Sequence, residues 1–114
     1  MNDNLPMDDI LLVITNLPDQ QTAGQLARRL IEEGVAACVN QLAPCISTYR
    51  WQGNIETASE VPLLIKTTQA AYPRLEQLIC VHHPYELPEI IAVPVTGLPA
   101  YLDWVSWETT ALKE

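Results

Sequence analysis

Seventeen consecutive residues, Val35 to Trp51, form one strand-like segment, and its length limits what this chain can fold into. Fully extended at about 3.3 Å per residue, the segment reaches roughly 55 Å. A compact domain of 114 residues has a radius of gyration of about 13 Å and a diameter of about 35 Å. The segment must therefore bend back, with Pro44 at the bend, or project beyond its own globule. Its partner follows directly. Gln52-Gly53-Asn54 is a turn signal, and alternation resumes from Ile55 to Thr68 with Ile55, Thr57, Ser59, Val61, Leu63, Ile65 and Thr67 on one face. Two such runs joined by a short glycine-containing loop form a hairpin. A projecting two-stranded ribbon that carries Tyr49, Trp51 and Ile55 is marginal alone and invites aggregation. Pairing with further copies of the chain removes both difficulties, so the lengths predict an oligomer; a hairpin kinked at Pro44 is the competing reading.

The elements around the hairpin follow from periodicity. Residues 1–9 are polar and predict a flexible leader, with a single domain over 10–114. Ile10 to Ile14 is an apolar, β-branched run suited to a central strand. Asp19 predicts the N-cap of a helix whose buried stripe is Ala23, Leu26, Ala27, Leu30 and Ile31, with Gly34 as its C′ residue. A second helix is expected to begin near Thr68, to tolerate Pro73 in its first turns, and to bury Leu75, Leu78, Ile79 and His82 before Pro84 ends it. Glu89 to Val95 is a short strand. From Pro99 a third helix places Tyr101, Leu102 and Val105 on one side and Trp104 and Trp107 on another. The order β-α-β-β-α-β predicts an α+β, ferredoxin-like fold: a four-stranded antiparallel sheet with two helices on one face, a long hairpin between the second and third strands, and a C-terminal helix.

Charge narrows the function. Fourteen acidic residues against six basic ones give a formal net charge of -8. The basic residues Arg28, Arg29, Arg50, Lys66, Arg74 and Lys113 form no cluster. Nucleic acid and anionic membrane surfaces both require concentrated positive charge, so neither is an expected partner. No apolar run approaches the length of a membrane span, and the acidic N-terminus has no signal-peptide pattern. Cys38, Cys45 and Cys80 are odd in number and widely spaced, which predicts reduced thiols in a cytoplasmic protein. There is no nucleophile elbow, no glycine-rich phosphate loop and no cofactor fingerprint, so an enzyme is not expected.

The soft-ligand candidates gather near the end of the second helix: Cys80, His82 and His83, with Glu86 as a further oxygen donor. Cys80 and His83 are i,i+3 neighbours, and a thiolate with an imidazole suits copper or zinc. The alternative is structural, with His82 as a core-facing cap residue and His83 donating to helix-terminal carbonyls. Cys38 is expected to be a small buried hydrophobe. Lys66 is expected to pair with Glu60 or Glu89, and Tyr49, Trp51, Trp104 and Trp107 either line an aromatic pocket or serve packing.

Several stretches together resemble one family, the CutA divalent-cation tolerance proteins. They are Pro18-Asp19 before the first helix, Val35-Ala36-Ala37-Cys38-Val39, Tyr49-Arg50-Trp51-Gln52-Gly53, Leu64-Ile65-Lys66-Thr67-Thr68, His83-Pro84-Tyr85-Glu86-Leu87-Pro88-Glu89-Ile90 and Tyr101-Leu102-Asp103-Trp104. The resemblance implies a cytoplasmic homotrimer assembled through the long hairpin and the C-terminal segment. It also implies tolerance to copper and other divalent cations, with His82 and His83 as ligand candidates and Cys38 and Cys80 as further soft groups. Thr15 stands where some relatives carry a cysteine, which removes one sulfur ligand. A second implication is a small-ligand signalling module like the P-II-type regulators, with pockets between subunits lined by Tyr85, Glu89, Lys66 and aromatic residues.

Overall fold

Of the residues that alternate along the hairpin, only those in its proximal half become core, and this division organises the molecule. The computed structural model describes residues 9–110, so the expected leader, apart from Asp9, lies outside the described residues. The elements are β1 (Ile10–Leu17), α1 (Gln20–Glu32), β2 (Cys38–Gln41), β3 (Cys45–Trp51), β4 (Asn54–Thr68), α2 (Tyr72–His82), β5 (Ile91–Val95) and α3 (Pro99–Glu108). All pairings are antiparallel, in the order β2-β4-β1-β5, with β3 continuing along β4 beyond β2. This is the ferredoxin-like α+β arrangement expected from the sequence.

The long second strand is interrupted. Leu42 to Pro44 separates β2 from β3, because Pro44 has no N–H to give the ladder. β4 runs through unbroken, and the Leu42 N–H still donates to the carbonyl of Pro62 at 3.0 Å. The chain therefore changes strand at Pro44 without folding back. Fifteen residues of β4 at about 3.3 Å each give about 50 Å, which accounts for the longest dimension of 53 Å and for a radius of gyration of 15.5 Å. Of the two readings, projection holds. Gln52 (φ 52°) and Gly53 (φ 85°) turn the tip in the two-residue geometry that matches strand twist. Along the ribbon, Ile46 near its base and Ile55 beside its tip are 72% and 71% exposed.

At the other end, Val61, Leu63 and Ile65 of β4 meet Leu11, Val13 and Leu17 of β1 beneath α1 and α2. Asp19 caps α1 through a 2.7 Å bond from the Thr22 N–H. Gly34 (φ 73°) ends it, with the Gly34 N–H on the Ile31 carbonyl and the Val35 N–H on that of Leu30. Ala23, Leu26 and Leu30 are buried, but Ile31 is exposed, since it lies beyond the line that meets the sheet. α2 starts at Tyr72 rather than near Thr68. Pro73 has to fall in the first turn, and Thr68 stays in β4, where its hydroxyl accepts from the Ala71 N–H at 3.1 Å. α3 packs against β4 and β1 and buries Val105.

One core polar group is unsatisfied. Thr15, fully buried on β1 opposite Leu63, has no hydrogen-bond partner for its hydroxyl among the described residues. Thr15→Val keeps the shape and removes the orphaned group, and it is expected to raise unfolding stability by about 1 kcal/mol. A urea midpoint that rises with an unchanged slope would show this; an unchanged or lower midpoint would mean the hydroxyl is satisfied.

Candidate functional site

His83 precedes a proline, and that local constraint builds the site. A residue before proline is pushed out of the helical region, and His83 is extended (φ -79°, ψ 135°) while its N–H still closes the last turn of α2 on Ile79. The helical period therefore stops at His82. His83 is the buried imidazole, at 7% exposure, and His82 is exposed, the reverse of the expected inner stripe. The His83 Nε2–H donates to the Asn16 carbonyl at 2.7 Å, and Nδ1 accepts from the Tyr85 N–H at 3.1 Å. With a carbonyl on one nitrogen and an N–H on the other, the ring is held as the neutral Nε2–H tautomer. Burial lowers its pKa from 6.5, against the opposing pull of the Asn16 carbonyl and the Glu60 charge.

The chain after His83 is pinned to the sheet. The rings of His83 and Tyr85 lie 4.7 Å apart. Asn16 Nδ2 donates to Glu89 at 2.9 Å. The Tyr85 hydroxyl hydrogen-bonds Glu60, and its pKa is pushed up to about 12 by burial and then by Glu60, so at neutral pH it is a donor. Glu60 is only 8% exposed, and among the described residues it has no cationic partner.

Asn16, Glu60, Tyr85 and Glu89 line an open groove of about 1070 Å³ between the 84–89 segment and one face of the projecting ribbon, from Glu60 at its base to Trp51 beside its tip. Tyr49, Trp51 and Tyr85 supply aromatic walls, and Glu60, Glu86 and Glu89 supply carboxylates. Among the described residues, no lysine, arginine or histidine lines it. The groove thus offers π faces and negative charge to whatever enters it.

The soft donors singled out in the sequence fall in separate places. Cys80 is exposed on α2. His82 opens on a shallow hollow beside Arg28, Arg29 and Glu32 of α1. Cys38 is half-buried on β2, where it interacts with Lys66 and with the Tyr101 hydroxyl. Lys66 donates to Asn40 and, at 3.9 Å, to the Cys38 sulfur rather than to Glu60 or Glu89, because Glu60 lies about 20 Å away along β4 and Glu89 is held by Asn16. Among the described residues, no three His, Cys, Asp or Glu side chains come together as a metal site. The lone pair on His83 Nδ1 is already taken by the Tyr85 N–H. The donors of one chain therefore do not fit a copper centre. Glu86, Tyr85, Glu89, Tyr49 and Trp51 do converge on the groove, whereas Trp104 and Trp107 stay exposed on α3. Glu60 is the groove residue that sequence reasoning misses; its one signal is its place in β4, directly before the buried run begins.

Comparison with known proteins bears on this geometry. The family described as CutA1 divalent ion tolerance protein matches residues 11–108. The divalent-cation tolerance protein CutA of Thermus thermophilus is 40% identical over 104 residues, covering 90% of this chain and 99% of that protein. The crystal structure of CutA from Xylella fastidiosa is 47% identical, covers 90% of this chain and 99% of its own, and superposes with a TM-score of 0.87. A PII-like protein CutA from Nostoc sp. PCC 7120, in apo form, is 40% identical, covers 88% and 97% of the two chains, and superposes with a TM-score of 0.82.

The buried imidazole gives the stability a pH dependence. Because the folded pKa of His83 lies below 6.5, the unfolded chain takes up its proton first as pH falls. Stability is full above that value and declines through the window below it. Urea unfolding of the native chain is expected to weaken as pH drops through this window, and His83→Gln, which never charges, is expected to flatten the decline. Parallel profiles for the two chains would remove His83 as the cause.

Proposed function

Since the chain belongs to the CutA1 divalent ion tolerance family, we propose that it acts as a homotrimeric, non-enzymatic, PII-like module whose part in cation tolerance runs through a small ligand held in the groove at the base of the hairpin. The observation that carries this is the convergence of Tyr85, Glu60 and Glu89 on one groove, pinned through His83 and Asn16 to the sheet. Loops fixed to a rigid sheet edge hold recognition groups in place. The trimer is supported by the ribbon. Ile46 and Ile55 are exposed on a hairpin that its own globule does not cover, and such a surface calls for a partner. A cytoplasmic location is supported by three free cysteines, two of them exposed.

Copper is the second reading, and the exposed thiols of Cys45 and Cys80 with the imidazole of His82 are what favour it. Such a centre has to draw donors from more than one chain, because the described residues of a single chain do not assemble them.

Light scattering is expected to give about 38 kDa, three times the chain mass of 12.7 kDa. Ile46→Asp combined with Ile55→Asp is expected to shift the protein toward a single chain; a native protein that scatters as one chain would end the trimer. In a copper titration followed by imidazole NMR, His83 is expected to keep its signals. Stoichiometric loss of the His83 resonance would make copper the leading ligand.

A further inference from the structure

The groove's chemistry specifies its occupant more closely than its shape does. Glu60 is a carboxylate more than nine-tenths buried, with a tyrosine hydroxyl as hydrogen-bond donor and no ion-pair partner among the described residues. His83 does not neutralise it, because Nε2–H to the Asn16 carbonyl and Nδ1 to the Tyr85 N–H hold that ring in its neutral form. A buried charge without a counter-ion is unfavourable unless something of opposite sign arrives. Glu86 and Glu89 add further negative charge, with no cationic side chain in the described lining to offset it. Anions such as nucleotides, phosphates and carboxylates are therefore repelled.

A bare metal ion is also poorly served, since no three ligating side chains come together among the described residues. The remaining class is a cation with an apolar or planar body. Tyr49 and Tyr85 line the groove on the Glu60 side, and aromatic rings bind such cations within about 6 Å of the centroid. The volume of about 1070 Å³ is at the upper end of small-molecule sites.

We propose that the groove binds a small organic cation, an ammonium or guanidinium compound, with Glu60 as its counter-charge and the Tyr49 and Tyr85 rings beside it. This rests on the groove being the ligand site. Glu60→Gln is the decisive variant: it keeps an acceptor for the Tyr85 hydroxyl and removes only the charge.

The test is calorimetric titration of the full chain with tetramethylammonium chloride and methylguanidinium chloride, using sodium acetate and inorganic phosphate at matched ionic strength as anionic probes. Light scattering is run on both proteins. Saturable binding of either cation is expected, with neither anion binding. Glu60→Gln is expected to weaken cation binding about tenfold while the mass in solution stays unchanged, and Tyr49→Leu is expected to weaken it in the same direction.

Cation binding that Glu60→Gln leaves untouched would overturn the proposal. Preferential binding of an anion in the groove would overturn the cationic class while keeping the ligand module. If no probe binds and Glu60→Gln breaks the oligomer, the groove is a subunit contact, and both this proposal and the ligand-module reading fall.

Discussion

A single strand, β4, hydrogen-bonds three others, and nearly everything else in the molecule is arranged by that fact. Its inner half lies between β1 and β2, and its outer half pairs with β3 alone. Between the two halves the burial changes sharply. Residues 54–59 are largely exposed, while from Glu60 onward the side chains alternate between buried and half-buried. Pro44 and Pro62, neither with an N–H to offer, lie at this junction, and the Leu42 bond to the Pro62 carbonyl bridges it. The same strand is thus both core and protrusion. The groove lies at the changeover because a buried carboxylate can meet solvent only there.

The fold is legible in the sequence because its signals are local. Alternation along β4, the 3.6-residue stripe of α1, and Asp19 and Gly34 at the helix ends each name an element without reference to the others. The ribbon's projection is legible for another reason: chain length against globule diameter is a geometric constraint that packing cannot remove. Where expectation and structure part, a boundary is involved. Ile31 satisfies the helical period but lies outside the line that meets the sheet. Thr68 has a helix-capping side chain, yet it completes a strand while capping the turn that follows.

The site is half legible, for a physical reason. Spacing predicts which side chains share a face only while the backbone keeps one geometry. At His83 the following proline imposes an extended conformation, so its imidazole is buried and that of His82, expected inside, is exposed. The i,i+3 relation between Cys80 and His83 thereby loses its meaning, and with it the short-range case for a thiolate–imidazole pair. Pro84 carries this information by itself, since the conformation it forces on its neighbour follows from the clash of its ring with the preceding residue. Glu60 is harder to see. A glutamate at the edge of an alternating strand looks like a solvated residue until tertiary packing brings Tyr85 over it.

An acidic protein in a cation-tolerance family invites the idea that its charge simply collects metal ions. The distribution of that charge argues against so direct a link. Most of the described carboxylates are exposed, where water and salt screen them and a divalent ion gains little from any one of them. The one described carboxylate that is buried, Glu60, has the Tyr85 hydroxyl against it rather than further metal donors. Selectivity in metal sites comes from ligand type and geometry, and here those features favour a soft, bulky cation over a small, strongly hydrated one. His83, behind the groove wall, adds a control: a ring whose neutral form ties β1 to the Tyr85 segment loses its acceptor on protonation and becomes a positive charge close to Glu60. Occupancy of the groove and protonation of His83 are therefore expected to oppose each other, because both bring positive charge to the same buried carboxylate.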